Sequence, residues 1–284
     1  MTRSVRALKL VVGGVVGVLA ISGVVRHAPA QEMAQDMAQE APVAIDEKAR
    51  EVIERGIEAS FGAVAESRSI KSLRLTGKMA IPAQGLEADL ELLQASGKML
   101  MTVTIPGLGK LQEGFTGKHG WSFSELQGPA LKPPAEAAQS REQADIYAAV
   151  NWEDYFSTAT FVGEETIEDY NGDEKKVNAL SMVTKDGERT MKVYYDAETG
   201  LQIRSDAEVV IPGGAKIPAV TLMTDFRDID GIQVPFKTKS SLGPIEQLFT
   251  FEKVVANDEI PDSAFDVPEE IAALIEKAEA DGEG

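Results

Sequence analysis

Few residues in this sequence have the type and spacing to do chemistry. Asp225, Asp228 and Asp230 precede Gly231, and Asp228 and Asp230 have the alternate spacing of a calcium loop. Such a loop needs an acidic residue at its first position and a Glu at its twelfth. With Asp228 and Asp230 as the third and fifth positions, those places hold Phe226 and Lys237. The ligand set is incomplete, so the cluster reads as a solvated turn. His119 is the one histidine beyond residue 30, and it sits beside Gly120. A Ser-His-acid triad would need it as the base, yet no Gly-x-Ser-x-Gly stretch exists to supply the nucleophile. His119 therefore reads as an ornament of a hairpin tip. Glu164 and Glu165 are adjacent, and neighbours on a strand point to opposite faces, which does not make a paired acid–base site. Gly107 to Gly114 (GLGKLQEG) lacks the Gly-Lys-Ser/Thr ending of a phosphate loop, and no helical pattern follows it. The chain has no cysteine, which excludes thiolate nucleophiles, thiolate metal sites, disulfides and a lipidated Cys. The sequence thus predicts no catalytic residue, no metal and no cofactor.

What remains is apolar. Met99, Met101 and Val103 alternate in one run; Trp121 and Phe123 do so in the next. Met191, Val193 and Tyr195, then Leu222 and Phe226, then Phe249 and Phe251 repeat the pattern. Period two places each set on one face of a strand. Methionine and aromatic side chains suit an apolar cavity that accepts variable chains, because the thioether is flexible and polarizable. These twelve residues are the candidate cavity lining. At alternating strand positions such residues are more often ordinary core. Burying an acyl chain contributes about 0.8 kcal/mol per methylene.

Elements that could position them follow from periodicity. Ile45 to Ser67 carries Val52, Ile53, Ile57, Phe61 and Val64 at helical spacing, with Asp46 as a plausible N-cap. From Ile70 the period becomes two, with turns at Pro82–Gly85, Ser96–Gly97, Pro106–Gly109 and Lys118–Gly120. Pro134 to Val150 is Ala-rich and predicts a helical insertion. Strands then resume, with Asn171-Gly172 expected as a tight hairpin pair, and Pro268 to Ala280 predicts a terminal helix. The hairpins Tyr194–Asp206 (YYDAETGLQIRSD) and Asp225–Lys237 (DFRDIDGIQVPFK) are expected at the solvent edge. There Asp196 and Glu198 would keep one tip soluble, and Gly200 would supply backbone freedom. No βαβ rhythm appears. The predicted class is mainly β (α+β), a single curved antiparallel sheet with helices on one side.

The two ends of the sequence differ in character. Arg3, Arg6 and Lys9 precede an apolar run from Leu10 to Val25, and Ala28-Pro29-Ala30 follows. This is the pattern of a secretory signal over residues 1–30, with cleavage before Gln31. A retained inner-membrane anchor is the alternative, although the run is short for a span of ~20 residues. Residues 31–45 read as a flexible linker. The full chain carries a net charge of −18, and its first 30 residues hold only basic groups. The rest should not bind nucleic acid, or a membrane surface, by bulk attraction.

The order of these features resembles the LolA/LolB superfamily of periplasmic lipoprotein carriers. A helix precedes the first strand, GFTGKHGWSF places a Gly-Lys turn before a Trp strand, and the helical insertion follows. YYDAETGLQIR, DFRDIDGIQVPFK and NDEIPDSAFDVP then match the family's later hairpins and ending. The resemblance spans residues 46–268, leaving 269–284 as a C-terminal helix and acidic tail. It implies an unclosed LolA-like half-barrel with helices covering its concave face. It also implies lipid or lipoprotein acyl chains as ligands, with an envelope protein as donor or acceptor. Greater acidity and a longer insertion set this chain apart from LolA itself. Carriage or sensing of acyl chains after export is the expectation, and an envelope interaction module without a ligand is the alternative.

Overall fold

The computed structural model describes residues 45–210 and 216–282. The expected signal and most of the expected linker, residues 1–44, lie outside the described residues. The first strands are β1 (Ser72–Ile81), β2 (Leu86–Ala95), β3 (Lys98–Ile105), β4 (Gly109–Phe115), β5 (Gly120–Ser124) and β6 (Gly128–Leu131). The second series is β7 (Phe156–Glu168), β8 (Glu174–Thr184), β9 (Thr190–Asp196), β10 (Gln202–Val210), β11 (Lys216–Ile229), β12 (Ile232–Leu242) and β13 (Ile245–Ala256). All thirteen form one antiparallel sheet in the order β6-β5-β4-β3-β2-β1-β13-β12-β11-β10-β9-β8-β7. The sheet is not closed: β6 and β7, adjacent in sequence, are its two opposite edges. This is a mainly β, LolA-like half-barrel.

A bulge bends the sheet near its middle. Thr76 pairs with Lys253 and Gly77 with Phe251, so Glu252 is the extra residue, and such an insertion increases local twist and bend. Gly77 is required there, because a Cβ would lie 2.1 Å from the Thr250 carbonyl oxygen.

The helices are α1 (Glu47–Phe61), α2 (Val64–Ser67), α3 (Pro134–Ala144), α4 (Trp152–Tyr155) and α5 (Glu269–Gly282). Asp46 caps α1, its carboxylate accepting the Lys48 N–H at 2.9 Å. Its second oxygen accepts the Phe161 N–H at 3.2 Å, and its own N–H bonds the Ala159 carbonyl at 2.9 Å. The entry to α1 therefore covers part of the β7 edge. The helix expected through Ser67 is interrupted. Gly62, at φ 45°, leaves the helical region, and the chain restarts as the short α2. Ala49, Val52 and Ile53 of α1 pack against Leu180, Val193, Tyr195, Trp152 and Phe156. Each such large side chain contributes roughly 1.5–3 kcal/mol by leaving water.

The segment between β6 and β7 crosses from one sheet edge to the other and carries α3 and α4. α3 lies over β3, β4 and β5, and α4 meets β7. A buried ion pair pins α3: Lys132, just after β6, reaches Glu113 on β4 and also donates to the Ser140 hydroxyl of α3 at 2.9 Å. Burial pushes the Lys132 ammonium down to about 8.

Two hairpins differ from expectation. Asp196 is buried, not a solubilising tip residue. Its carboxylate accepts the N–H groups of Glu198 and Thr199, each at 2.8 Å. Arg55 of α1 donates to the Glu198 carbonyl at 2.7 Å, so the turn is docked beneath the helix. Asn171-Gly172 belongs to a five-residue loop rather than a two-residue turn. Asp169 organises it, accepting the N–H groups of Asn171 and Asp173 at 2.8 and 3.0 Å.

Candidate functional site

Between the concave face and the helices lies a cavity of about 780 Å³, within the 300–1,000 Å³ range of ligand pockets. The strands supply Leu73 and Leu75 from β1, Leu92 from β2, Phe251 from β13, and Met191, Val193 and Tyr195 from β9. The covering helices and their connections supply Ile53, Phe61, Ala138, Ile146 and Trp152. The lining also includes the charged residues Glu136, Glu142, Asp186, Glu188 and Arg189.

The ends of this wall are fixed by polar contacts. Asp145 accepts the Tyr147 N–H at 2.8 Å, the Asn151 amide at 2.7 Å and the Tyr155 hydroxyl at 2.9 Å. This holds the turn between α3 and α4 over the cavity. Burial and then the Asp145 hydrogen bond push the Tyr155 phenol above its ordinary value. Burial alone pushes Tyr195 up to about 12, so its hydroxyl stays neutral at physiological pH. Burial also raises the Glu136 carboxyl, against the pull of Lys132. Arg189 pairs with Glu142 of α3, tying the β8–β9 turn to the helix. Gly56 of α1 allows close contact with the wall: a Cβ there would sit 2.5 Å from Tyr195 Cε1.

The twelve residues singled out in the sequence divide into three groups. Met191, Val193, Tyr195, Phe226 and Phe251 line the cavity. Met99, Met101, Val103 and Phe249 are on the concave face, but they are packed into a core with Ile81, Leu90 and Phe115 and do not line it. Trp121, Phe123 and Leu222 require a correction of face. Met101 pairs with Glu113, which pairs with Ser122, so Trp121 and Phe123 alternate onto the convex side. Ser205 pairs with both Val193 and Thr221, so Thr221 shares the concave face and Leu222 does not. Phe226 has the parity of Leu222 and packs beside Tyr194 and Ile203 while also reaching the cavity margin. Sequence reasoning missed Leu73, Leu75 and Met223. The first two alternate visibly in SLRLTGKMAI, whereas Met223 was hidden by the inverted parity of β11.

The residues with chemical potential are engaged structurally. Asp225 forms a two-pronged contact with Arg227, at 3.0 and 2.7 Å, and Asp228 accepts the Gly231 N–H at 3.2 Å. His119 Nε2 lies 3.1 Å from Glu279 of α5, beside a 2.6 Å bond from Lys118 to the same carboxylate. Among the described residues no group of three His, Cys, Asp or Glu side chains could hold a metal ion. Among them too, no helix is long and apolar enough to cross a membrane.

No family model matches the chain, and no curated protein matches it. Solved structures do. A LolA superfamily protein from Nitrosomonas europaea superposes with a TM-score of 0.52 at 12% identity, covering 77% of this chain and 97% of that one. A DUF1329 family protein from Desulfovibrio piger gives a TM-score of 0.53 at 10% identity, again covering 77% and 97%. The likeness is one of fold, and it matches the resemblance read from the sequence.

Proposed function

We propose that this protein binds the acyl chains of a lipid or lipoprotein in the cavity and acts as an exported carrier or sensor. The observation that carries the reading is the half-open apolar space left between a curved sheet and the helices that cross it. A packed interaction module would fill that space with its own side chains. Support also comes from the LolA-like fold and from the signal-like residues 1–30. An acyl chain makes no hydrogen bonds, so its affinity must come from water displaced from apolar walls. The wall formed by Leu73, Leu75, Met191 and Phe251 supplies such a surface.

The test is retention of a fluorescent fatty-acyl probe. Met191 is half-buried at the cavity, so Met191→Glu places a charge in the wall where it can still reach water. Probe affinity should fall at least about tenfold, equivalent to about 1.4 kcal/mol, while the far-ultraviolet circular dichroism persists. Met101→Glu is the contrast: Met101 is 1% exposed in packed core, and a charge there should unfold the domain. Failure of the unmodified protein to retain any acyl probe would sink the reading in favour of an interaction module.

A further inference from the structure

A second pocket, of about 550 Å³, adjoins the large cavity and shares Asp145, Ile146 and Tyr155 with it. Its character is different. It is lined by three cations, Arg68, Lys71 and Arg141, together with Tyr147 and Asn151. Elsewhere cations of this acidic chain do face a carboxylate, as Arg74 does with Asp258 and Lys192 with Glu165. Among the described residues, none of these three forms an ion pair. Arg68 donates to the neutral Asn151 side chain at 2.8 Å and stacks over Tyr147 at 4.6 Å. Arg141 lies over the Tyr155 ring at 5.7 Å. The one carboxylate in the pocket, Asp145, is already occupied by its three donors.

The backbone points the same way. Arg68 ends α2 at φ 49° and ψ 39°, the left-handed region, where Gly would be unstrained and another residue costs roughly 1 kcal/mol. An Arg held there keeps its side chain against Tyr147, with most of its five donors unused. Asn151 and Asp145 connect Arg68 to Tyr155 by hydrogen bonds, so one polar chain fixes the surroundings of both guanidiniums.

We infer that this pocket receives an anionic head group, phosphate or carboxylate, of an amphiphile whose acyl chain occupies the adjoining cavity. The inference rests on the acyl-binding reading above and narrows its ligand to anionic amphiphiles. The net charge of −18 does not oppose it, because charges farther away than ~10 Å are largely screened at physiological salt. Selection for the anion is then local. Arginine suits it, since the planar guanidinium matches both carboxylate and phosphate oxygens.

The experiment measures binding of dodecyl phosphate, dodecanol and inorganic phosphate below the micellar range. The proteins are the unmodified chain and the triple variant Arg68→Gln, Lys71→Gln, Arg141→Gln. All three positions are exposed or half-exposed. The double variant Lys71→Gln, Arg141→Gln keeps the Arg68 stack should the triple variant be poorly folded. The unmodified chain should prefer dodecyl phosphate over dodecanol by about tenfold or more, in line with loss of a charge-assisted hydrogen bond. The variants should lose most of that preference and bind dodecanol as before, and 1 M salt should mimic the substitutions. Equal binding of the two amphiphiles, or a preference that survives the triple variant, overturns the head-group assignment and leaves acyl binding standing. Binding of neither overturns both. Inorganic phosphate binding as tightly as dodecyl phosphate would mark a free-anion site and overturn the amphiphile.

Discussion

Glu113 is 1% exposed on the concave face of β4, between Met101 on one neighbouring strand and Ser122 on the other. Such a charge is tolerated because Lys132 is buried against it. A buried pair of this kind adds little net stability, but removing one partner leaves an unpaired charge and costs about 3–5 kcal/mol. Glu113→Gln should therefore lower the urea midpoint by that equivalent without changing the slope. The double change Glu113→Leu with Lys132→Met should return stability to near the original. A loss below about 1 kcal/mol for Glu113→Gln would show that the pair is solvated in solution. This residue was not legible in the sequence. In GKLQEGF period two puts Glu113 on the face of Leu111 and Phe115, where a lone carboxylate breaks the apolar pattern, and nothing local reveals Lys132 as its partner. The errors at Trp121, Phe123 and Leu222 have the related cause that both faces of this sheet are apolar. Leu93, Ala95 and Phe265 form a cluster on the convex side. Alternation identifies two faces but not which is covered, and a slip of one inverts every assignment.

At the scale of elements, α1 illustrates how a helix is placed as well as formed. Asp46 and the apolar stripe were readable. The docking distance was not, because it depends on Gly56 lying against Tyr195, a contact between residues far apart in sequence. Replacing Gly by Ala in a helix interior ordinarily stabilises it by up to about 1 kcal/mol. Here the added Cβ would lie 2.5 Å from a buried ring, so Gly56→Ala should instead destabilise by about 1–3 kcal/mol, the usual cost of overpacking. Thermal unfolding would measure it. In a Tyr195→Leu background the same substitution should turn neutral or stabilising. If the two substitutions act additively, the ring is not what holds the helix off. The β9–β10 turn belongs to the same assembly. Its acidic sequence looked solvated, yet Asp196 spends its charge on backbone N–H groups and Arg55 clamps the turn to α1.

At the scale of the molecule, the mainly β class and the starts of the early helix and of the insertion's helix were legible, but that second helix ends at Ala144, short of the expected Val150. The identity of the sheet edges was not legible, because edges depend on which distant strands meet. β1 and β13 meet at the centre, and this single junction makes one sheet of two meanders, β1–β6 and β7–β13. Every other neighbouring pair is consecutive in the chain. That arrangement has a consequence for the time course of folding. Each meander can zip from turns closing short loops, whereas setting Leu75 beside Val254 closes roughly 180 residues, and closure entropy grows with the logarithm of length. Joining the meanders should be the rate-limiting encounter. A mild truncation at the junction, such as Leu75→Ala, should slow refolding nearly in proportion to its destabilisation. Met182→Ala, within the β8–β9 hairpin, should act less on the refolding rate for the same loss of stability. Stopped-flow measurements of both would decide it, and equal fractional effects would mean that the halves do not form ahead of their union.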